Sequence, residues 1–175
     1  MLYAAYGSNL HPVRLLTRLP GSRFLGAAAI AGRNLRFHKR SQDGSGKCNI
    51  VAGDSSIHVA VYEINGQEKA QLDRIEGVGS GYSVETIEAP GFGECFTYVA
   101  VPSYIDNKLR PYSWYKELVL VGCETLQFPI AYIAMIRNAA AIDDPDKERY
   151  AINMQLVERA RKSVNGALEQ KGTYS

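Results

Sequence analysis

The sequence predicts an α+β fold with a mainly antiparallel sheet or small barrel. Strand-like segments crowd the first hundred residues and helical segments the remainder. The regular strand–helix alternation of a doubly wound sheet is missing. At 175 residues the chain is the size of one domain, with enough length for a core that needs neither disulfides nor a metal.

The elements follow in order. Leu2–Tyr6 is a short apolar strand. Pro12–Leu19 reads as a helix, because proline is tolerated in a first turn that has no use for its missing N–H. Phe24–Ala31 is a strand of small residues, and Asn34–His38 alternates Leu35 and Phe37 against Arg36 and His38. His58–Ile64 sets Val59 and Val61 on one face. Asn65, with Glu68 three positions on, opens a helix over Gly66–Glu76 as a capping box. Tyr82–Ala89 and Glu94–Val101 pair as a hairpin across Pro90-Gly91-Phe92-Gly93. Ser113 is the expected cap of a helix running to Leu126, and Ile130–Ala141 follows Pro129 as another. The last helix starts at Asp144-Pro145 and runs to about Leu168. Its stripe of Tyr150, Met154, Val157, Ala160, Val164 and Leu168 should face the body.

Composition narrows the function classes. With 46% hydrophobic and 22% charged residues, the chain is neither a disordered tail, a coiled coil nor a collagen-like repeat. Twenty basic residues against 18 acidic ones leave +2, which gives no reason to invoke nucleic acid. Cys48, Cys95 and Cys123 are far apart and odd in number, pointing to buried thiols in a reducing cytoplasm instead of a disulfide framework or a zinc site. The N-terminus lacks a basic region before its apolar run, so no signal peptide is expected. Phe128–Ile136, the longest uncharged apolar stretch, is too short to span a membrane. The expectation is a cytoplasmic protein without membrane, metal or cofactor partners; oligomeric state stays open, a homodimer included.

Two glycine strings resemble nucleotide-binding loops and fail in detail. Upstream of Gly46-Lys47, Ser41 stands where a phosphate loop has glycine, and Cys48 stands where it has Ser or Thr. Gly77-x-Gly79-x-Gly81 follows a helix and precedes a strand, reversing the dinucleotide-binding order. Flexible turns are expected at both. His11, His38 and His58 are scattered, which fits packing or surface roles better than metal ligation. A serine nucleophile elbow is absent as well.

What remains is a pair of features. Tyr6-Gly7-Ser8-Asn9-Leu10 lies between the first strand and the Pro12 helix. Glycine there permits unusual φ and close approach of a ligand. The N–H groups of Gly7, Ser8, Asn9 and Leu10 could form a nest for a carboxylate or an oxyanion. A plain turn with Ser8 or Asn9 as helix cap is the simpler alternative on spacing alone. Glu76 ends its helix at Gly77, where the macrodipole is negative. That position, together with burial, favours the protonated acid, as wanted in a group that accepts a proton and later returns it. A solvated glutamate paired with Arg74 is the alternative.

Together these features resemble the γ-glutamylcyclotransferase family. Tyr3-Ala4-Ala5-Tyr6-Gly7-Ser8-Asn9-Leu10 matches its Y-x-A-Y-G-S-N-L motif. Leu72-Asp73-Arg74-Ile75-Glu76-Gly77-Val78 matches L-D-x-x-E-G-V, whose glutamate is the acid/base. Further similarity lies in Asp43–Ile50, in Pro102-Ser103, in Tyr115-Lys116-Glu117-Leu118 with Gly122, and in Phe128-Pro129-x-x-Tyr132. The last helix carries no family motif. The resemblance implies a small mixed-sheet β-barrel flanked by helices. It also implies intramolecular aminolysis of a γ-glutamyl amino acid or amine to 5-oxoproline. In that reading Glu76 moves the protons, the Tyr6–Leu10 amides hold an anion, Tyr3 and Tyr6 shape the pocket, and Tyr115 hydrogen-bonds the substrate. Tyr98 is a weaker pocket candidate. Some members carry a pocket tyrosine where this chain has Ser83; Tyr82 is one residue off, which turns its ring away unless a bulge compensates, so whether Tyr82 lines the pocket stays open. Lys39–Lys47 and Ile105–Pro111 are expected to shape the mouth and select the leaving amine. A binding domain of the same fold without catalysis, or an enzyme removing a γ-glutamyl protecting group, are the competing readings.

Overall fold

The computed structural model describes the backbone of residues 1–169 and the side chains of residues 1–163. Five strands form one mixed sheet: β1 (Leu2–Ala5), β2 (Arg23–Arg40), β3 (Gly46–Glu63), β4 (Tyr82–Ala89) and β5 (Gly93–Ala100), in the order β2-β3-β1-β5-β4. The expected α+β class holds. β1 lies at the centre, antiparallel to β3 with Ala5 opposite Ala60, and parallel to β5 with Tyr3 opposite Phe96. The sheet curls without closing its hydrogen-bond ladder. Its two edges meet through side chains, with Arg33 of β2 3.7 Å from Glu85 of β4. Phe92 in the β4–β5 turn packs so tightly on Gly26 that a Cβ there would lie 2.8 Å from the ring.

Two separate strands were expected over residues 24–38, but β2 is one 18-residue strand. Register shifts at Phe24/Gly26, Ala31/Arg33 and Phe37/Lys39 let it bend around the barrel, and Gly32 supplies the positive φ (74°) at the middle one. The last shift also turns His38 inward against the simple alternation. Its Nδ1 meets Asn107 Oδ1 at 2.8 Å and its Nε2 meets Asn49 Nδ2 at 3.0 Å. Gly46-Lys47 is not a flexible turn. It begins β3, where Gly46 N–H donates to Arg110 O (2.9 Å) and a Cβ would fall 2.3 Å from Phe37 O.

Helices α1 (Pro12–Arg18), α2 (Gly66–Glu76), α3 (Ser113–Thr125), α4 (Ile130–Asn138) and α5 (Lys147–Glu169) flank the sheet, and a 3-10 turn spans Pro102–Tyr104. The α2 capping box forms as expected, with Asn65 and Glu68 each accepting from the other's N–H. Tyr112, not Ser113, precedes the first turn of α3, without a side-chain cap; the Ser113 hydroxyl is buried with no partner. On α5 the expected stripe holds at Met154, Val157 and Ala160, which pack inward, while Tyr150 is exposed. The side chains of Val164 and Leu168 lie outside the described residues. Cys48, Cys95 and Cys123 are buried free thiols. Among the described residues no helix is long and apolar enough to cross a membrane.

Candidate active site

The bend after β1 and the C-terminal end of α2 converge on one cleft. Two backbone devices place them. β1 is too short to carry its chain past the barrel rim, so Tyr6 to Leu10 turn back over it, closed by Leu10 N–H to Gly7 O at 3.0 Å. α2 is stopped by Gly77 in the left-handed region (φ 68°), whose N–H caps Arg74 O and Asp73 O. A side chain would be strained there. Glu76, the last helical residue, is thereby aimed at the bend with its side chain 19% exposed.

The contact between the two elements is direct. Asn9 Nδ2 donates to Glu76 Oε1 at 3.0 Å and lies 3.3 Å from Tyr3 Oη. Arg18 Nη1 donates to Asn9 Oδ1 at 2.9 Å and stands 3.7 Å from the same Glu76 oxygen. Of the cations the alternative reading allowed, the one beside Glu76 is Arg18, not Arg74. Neither Ser8 nor Asn9 caps α1. His11 does, its Nδ1 accepting from Val13 N–H at 3.1 Å, which leaves the Asn9 amide free to bridge Arg18 and Glu76.

The cleft floor is aromatic and has an empty volume of about 310 Å³. Tyr6 Oη donates to Tyr98 O and Tyr82 Oη to Cys48 O (2.6 Å), so both hydroxyl hydrogens are committed to main chain. Tyr115 accepts from Cys48 N–H at 3.2 Å and its hydroxyl lies against the Cys48 thiol. Tyr3 stacks on Phe96 at 5.2 Å. Tyr98 donates to Asp73 Oδ1 at 2.7 Å, and Lys69 holds that carboxylate through both oxygens. Burial pushes the phenols of Tyr3, Tyr6, Tyr82 and Tyr115 above their ordinary value and the Cys48 thiol up to about 12, so all five stay neutral.

Tyr3, Tyr6, Gly7, Ser8, Asn9, Tyr115 and Glu76 are thus brought together, with Tyr98 beside them. Two expectations need correction, and the open question of Tyr82 is answered. Leu10 is not at the site: it is fully buried in the core, and its carbonyl accepts from Tyr62 Oη at 2.7 Å. Gly7 does not adopt a positive φ. Its role is close packing, since a Cβ would meet Cys48 Cβ at 3.2 Å and Tyr115 Oη at 3.3 Å. Tyr82 does face the cleft, because β4 begins only at that residue and the Gly77–Gly81 turn sets its direction. In place of the four-amide nest, the N–H groups of Ser8 and Asn9 have no acceptor among the described residues.

Outside the floor the space widens into adjoining clefts of about 630 and 1010 Å³, both bounded by Glu76 and Lys39. The first is lined by Arg14, Arg18, Lys47 and Trp114 as well. Lys39 and Lys47 fall in the segment expected at the mouth. The Ile105–Pro111 segment instead props β2 and β3 from behind, through Asn107 and Arg110. Arg14, Arg18 and Trp114 were missed, although two arginines four apart on a helix already define one charged face.

Residues 3–117 match the family described as "Gamma-glutamyl cyclotransferase, AIG2-like". Among solved structures, a gamma-glutamyl cyclotransferase superposes with a TM-score of 0.77 at 24% identity, over 89% of this chain and 98% of that one. An uncharacterized protein from Homo sapiens gives 0.75 at 24%, over 87% and 97%. YkqA from Bacillus subtilis gives 0.65 at 18%, over 81% of this chain and 56% of that one. At these identities the structural matches show a shared fold, and no curated protein sequence matches the chain. The family match covers most of the chain and contains both converging motifs, so the chain belongs to the gamma-glutamyl cyclotransferase, AIG2-like family.

Proposed function

We propose that the protein is a cyclotransferase that converts a γ-glutamyl amino acid or amine to 5-oxoproline and the free amine, with Glu76 as general acid/base. The observation that carries this reading is the 3.0 Å contact between Asn9 and Glu76, which sets the proton-carrying group against the bend. The attacking amine and the γ-carbonyl belong to one substrate, so a pocket that folds the glutamyl chain removes much of the entropic barrier. Glu76 takes a proton from the α-ammonium, and the freed nitrogen bonds to the γ-carbon. The unpartnered N–H groups of Ser8 and Asn9 donate to the substrate carboxylate or the oxyanion. Glu76 returns that proton to the leaving nitrogen as its bond to carbon breaks, then takes the second proton that the attacking nitrogen sheds once bonded to carbon and passes it to the freed amine, which departs as an ammonium. Tyr115, whose hydroxyl lines the cleft, binds the glutamyl portion, and Tyr3, Tyr6 and Tyr82 shape the walls.

The test is to incubate the protein with a panel of γ-glutamyl compounds and assay 5-oxoproline, with Glu76→Gln in parallel. Release from at least one compound, abolished or strongly reduced in the variant, is the expected outcome. Equal rates for the two proteins would remove Glu76 from the mechanism, and the absence of 5-oxoproline throughout would leave a binding domain of the same fold.

A further inference from the structure

A carboxamide is nearly symmetric in shape but accepts at one end and donates at the other, so its neighbours decide which way it points. Asn9 is buried where three elements meet. It follows β1, and its side chain touches Arg18 at the end of α1 and Glu76 at the end of α2. Nδ2 directs its two hydrogens to Glu76 Oε1 (3.0 Å) and Tyr3 Oη (3.3 Å), while Oδ1 accepts from Arg18 Nη1 (2.9 Å). The reverse orientation would set oxygen against carboxylate and N–H against guanidinium. Arg18 is itself anchored apart from this contact. Leu15 and Leu19 on α1 and at its end are fully buried, and the Arg18 carbonyl accepts from Gln71 Nε2 of α2 at 2.8 Å. The guanidinium belongs to the last turn of α1, where the helix dipole favours a cation. It stands 3.7 Å from Glu76 Oε1, too far for a direct hydrogen bond.

That anchor matters once the proton has moved. While Glu76 is a carboxylate, it attracts Asn9 Nδ2 by its own charge. After Glu76 has taken a proton from the substrate ammonium, the attraction is gone. An Asn9 without an anchor could then turn Oδ1 toward the acid and accept the hydrogen that the leaving nitrogen needs. Tyr3 would not prevent the turn, because a hydroxyl donates to Oδ1 as readily as it accepts from Nδ2. We infer that Arg18 is a positioning residue that keeps Asn9 a donor to Glu76 in both protonation states, leaving the acid's hydrogen for the leaving nitrogen. The inference rests on the cyclotransferase reading above and deepens it. Arg18 acts through the Asn9 amide and not on the substrate.

The experiment is a double-mutant cycle read as 5-oxoproline release, using the compound of the γ-glutamyl panel that the native protein turns over fastest. Arg18→Gln should lower kcat by about tenfold to a hundredfold, the equivalent of a charge-assisted hydrogen bond, with KM little changed. Asn9→Ala, which keeps its main-chain N–H, should lower kcat as well. The double variant should be no slower than Asn9→Ala alone, since the effect of Arg18 passes through that amide. Arg18→Lys still offers an N–H to Oδ1 and should recover part of the loss. Losses that multiply in the double variant would mean that Arg18 works directly on Glu76 or the substrate. That result, a native kcat in Arg18→Gln, or a loss confined to KM overturns the inference and leaves the cyclotransferase reading standing. No 5-oxoproline from the native protein with any compound removes both together. Should Asn9→Ala fail to fold or be too slow to measure, Arg18→Ala is assayed with guanidinium chloride below its unfolding range. Partial return of kcat is then expected, and a kcat indifferent to the added ion overturns the inference.

Discussion

On the floor of the cleft, Tyr6 and Tyr82 direct their hydroxyl hydrogens to main-chain carbonyls, and Tyr98 is tied to Asp73. On the wall of the wider cleft, Arg14 and Lys39 face open space without counter-ions. The tyrosines of the floor are tied to neighbours, whereas the two wall cations have no carboxylate within 4 Å among the described residues. A closed network fixes geometry before a ligand arrives, which suits proton transfer over short distances. An open one waits for the ligand to complete it, which suits selection. Asn9 and Arg18 are the seam between the two, since their shared hydrogen bond links the wall to Glu76.

The largest expected effect lies on the floor. Glu76→Gln keeps the size of the side chain and its contact with Asn9 but cannot carry a proton. Turnover should fall by about 10²–10⁴, the range for general acid–base groups, with thermal stability nearly unchanged. Tyr115→Phe removes the floor hydroxyl that accepts from Cys48 N–H and faces the cleft. A loss of about tenfold in kcat/KM is expected, the size of one well-made hydrogen bond. If the phenylalanine variant matched the native rate, Tyr115 would belong with the purely structural tyrosines.

Tyr82→Phe sharpens the distinction from the opposite side. Its hydroxyl serves only Cys48 O, so the variant should lose about 0.5–1.5 kcal/mol of stability while kcat stays close to the native value. Urea unfolding and 5-oxoproline release separate the two. A large fall in kcat with an unchanged unfolding midpoint would move Tyr82 from wall to machinery.

The floor and the wall differ in how far they could be read in advance. The short motifs delivered the floor, because Gly77 must end α2 and so fixes where Glu76 points, and because Gly7 permits Cys48 and Tyr115 to approach. The direction of Tyr82 escaped the period-two rule, since that rule applies inside a strand and Tyr82 is the first residue of one. Leu10 sits inside the motif yet belongs to the core, a distinction that needs the packing of Tyr62 on its carbonyl. The continuous β2 was hidden at Gly32, which falls between the two expected strands and acts as a bulge in the sheet. The wall draws on α1, β2, β3 and α3, and no single stretch of sequence carries it.

The smallest expected effect concerns the support behind the wall. Trp114, which lines the wider cleft, donates from Nε1 to Asp144 Oδ2 at 2.7 Å, and Arg149 holds the same carboxylate through Nε at 2.7 Å and through Nη2. The Arg149 hydrogen bonds, helped by those of Trp114 and Asp146 N–H, bring the Asp144 carboxyl down to about 2. An unfolded aspartate titrates near about 3.9, so the unfolded chain binds this proton more readily than the folded one. The stabilisation is therefore complete above about pH 4 and is lost as the pH falls through about 2. Urea midpoints of the native protein and Asp144→Asn should differ by a constant amount from pH 7 down to about 4 and converge below it; a gap as wide at pH 2.5 as at pH 7 would contradict the assignment. At pH 7 the same variant loosens Trp114 without touching Glu76. It should raise KM for the γ-glutamyl substrate more than it lowers kcat, because Trp114 lines the wider cleft and does not touch Glu76.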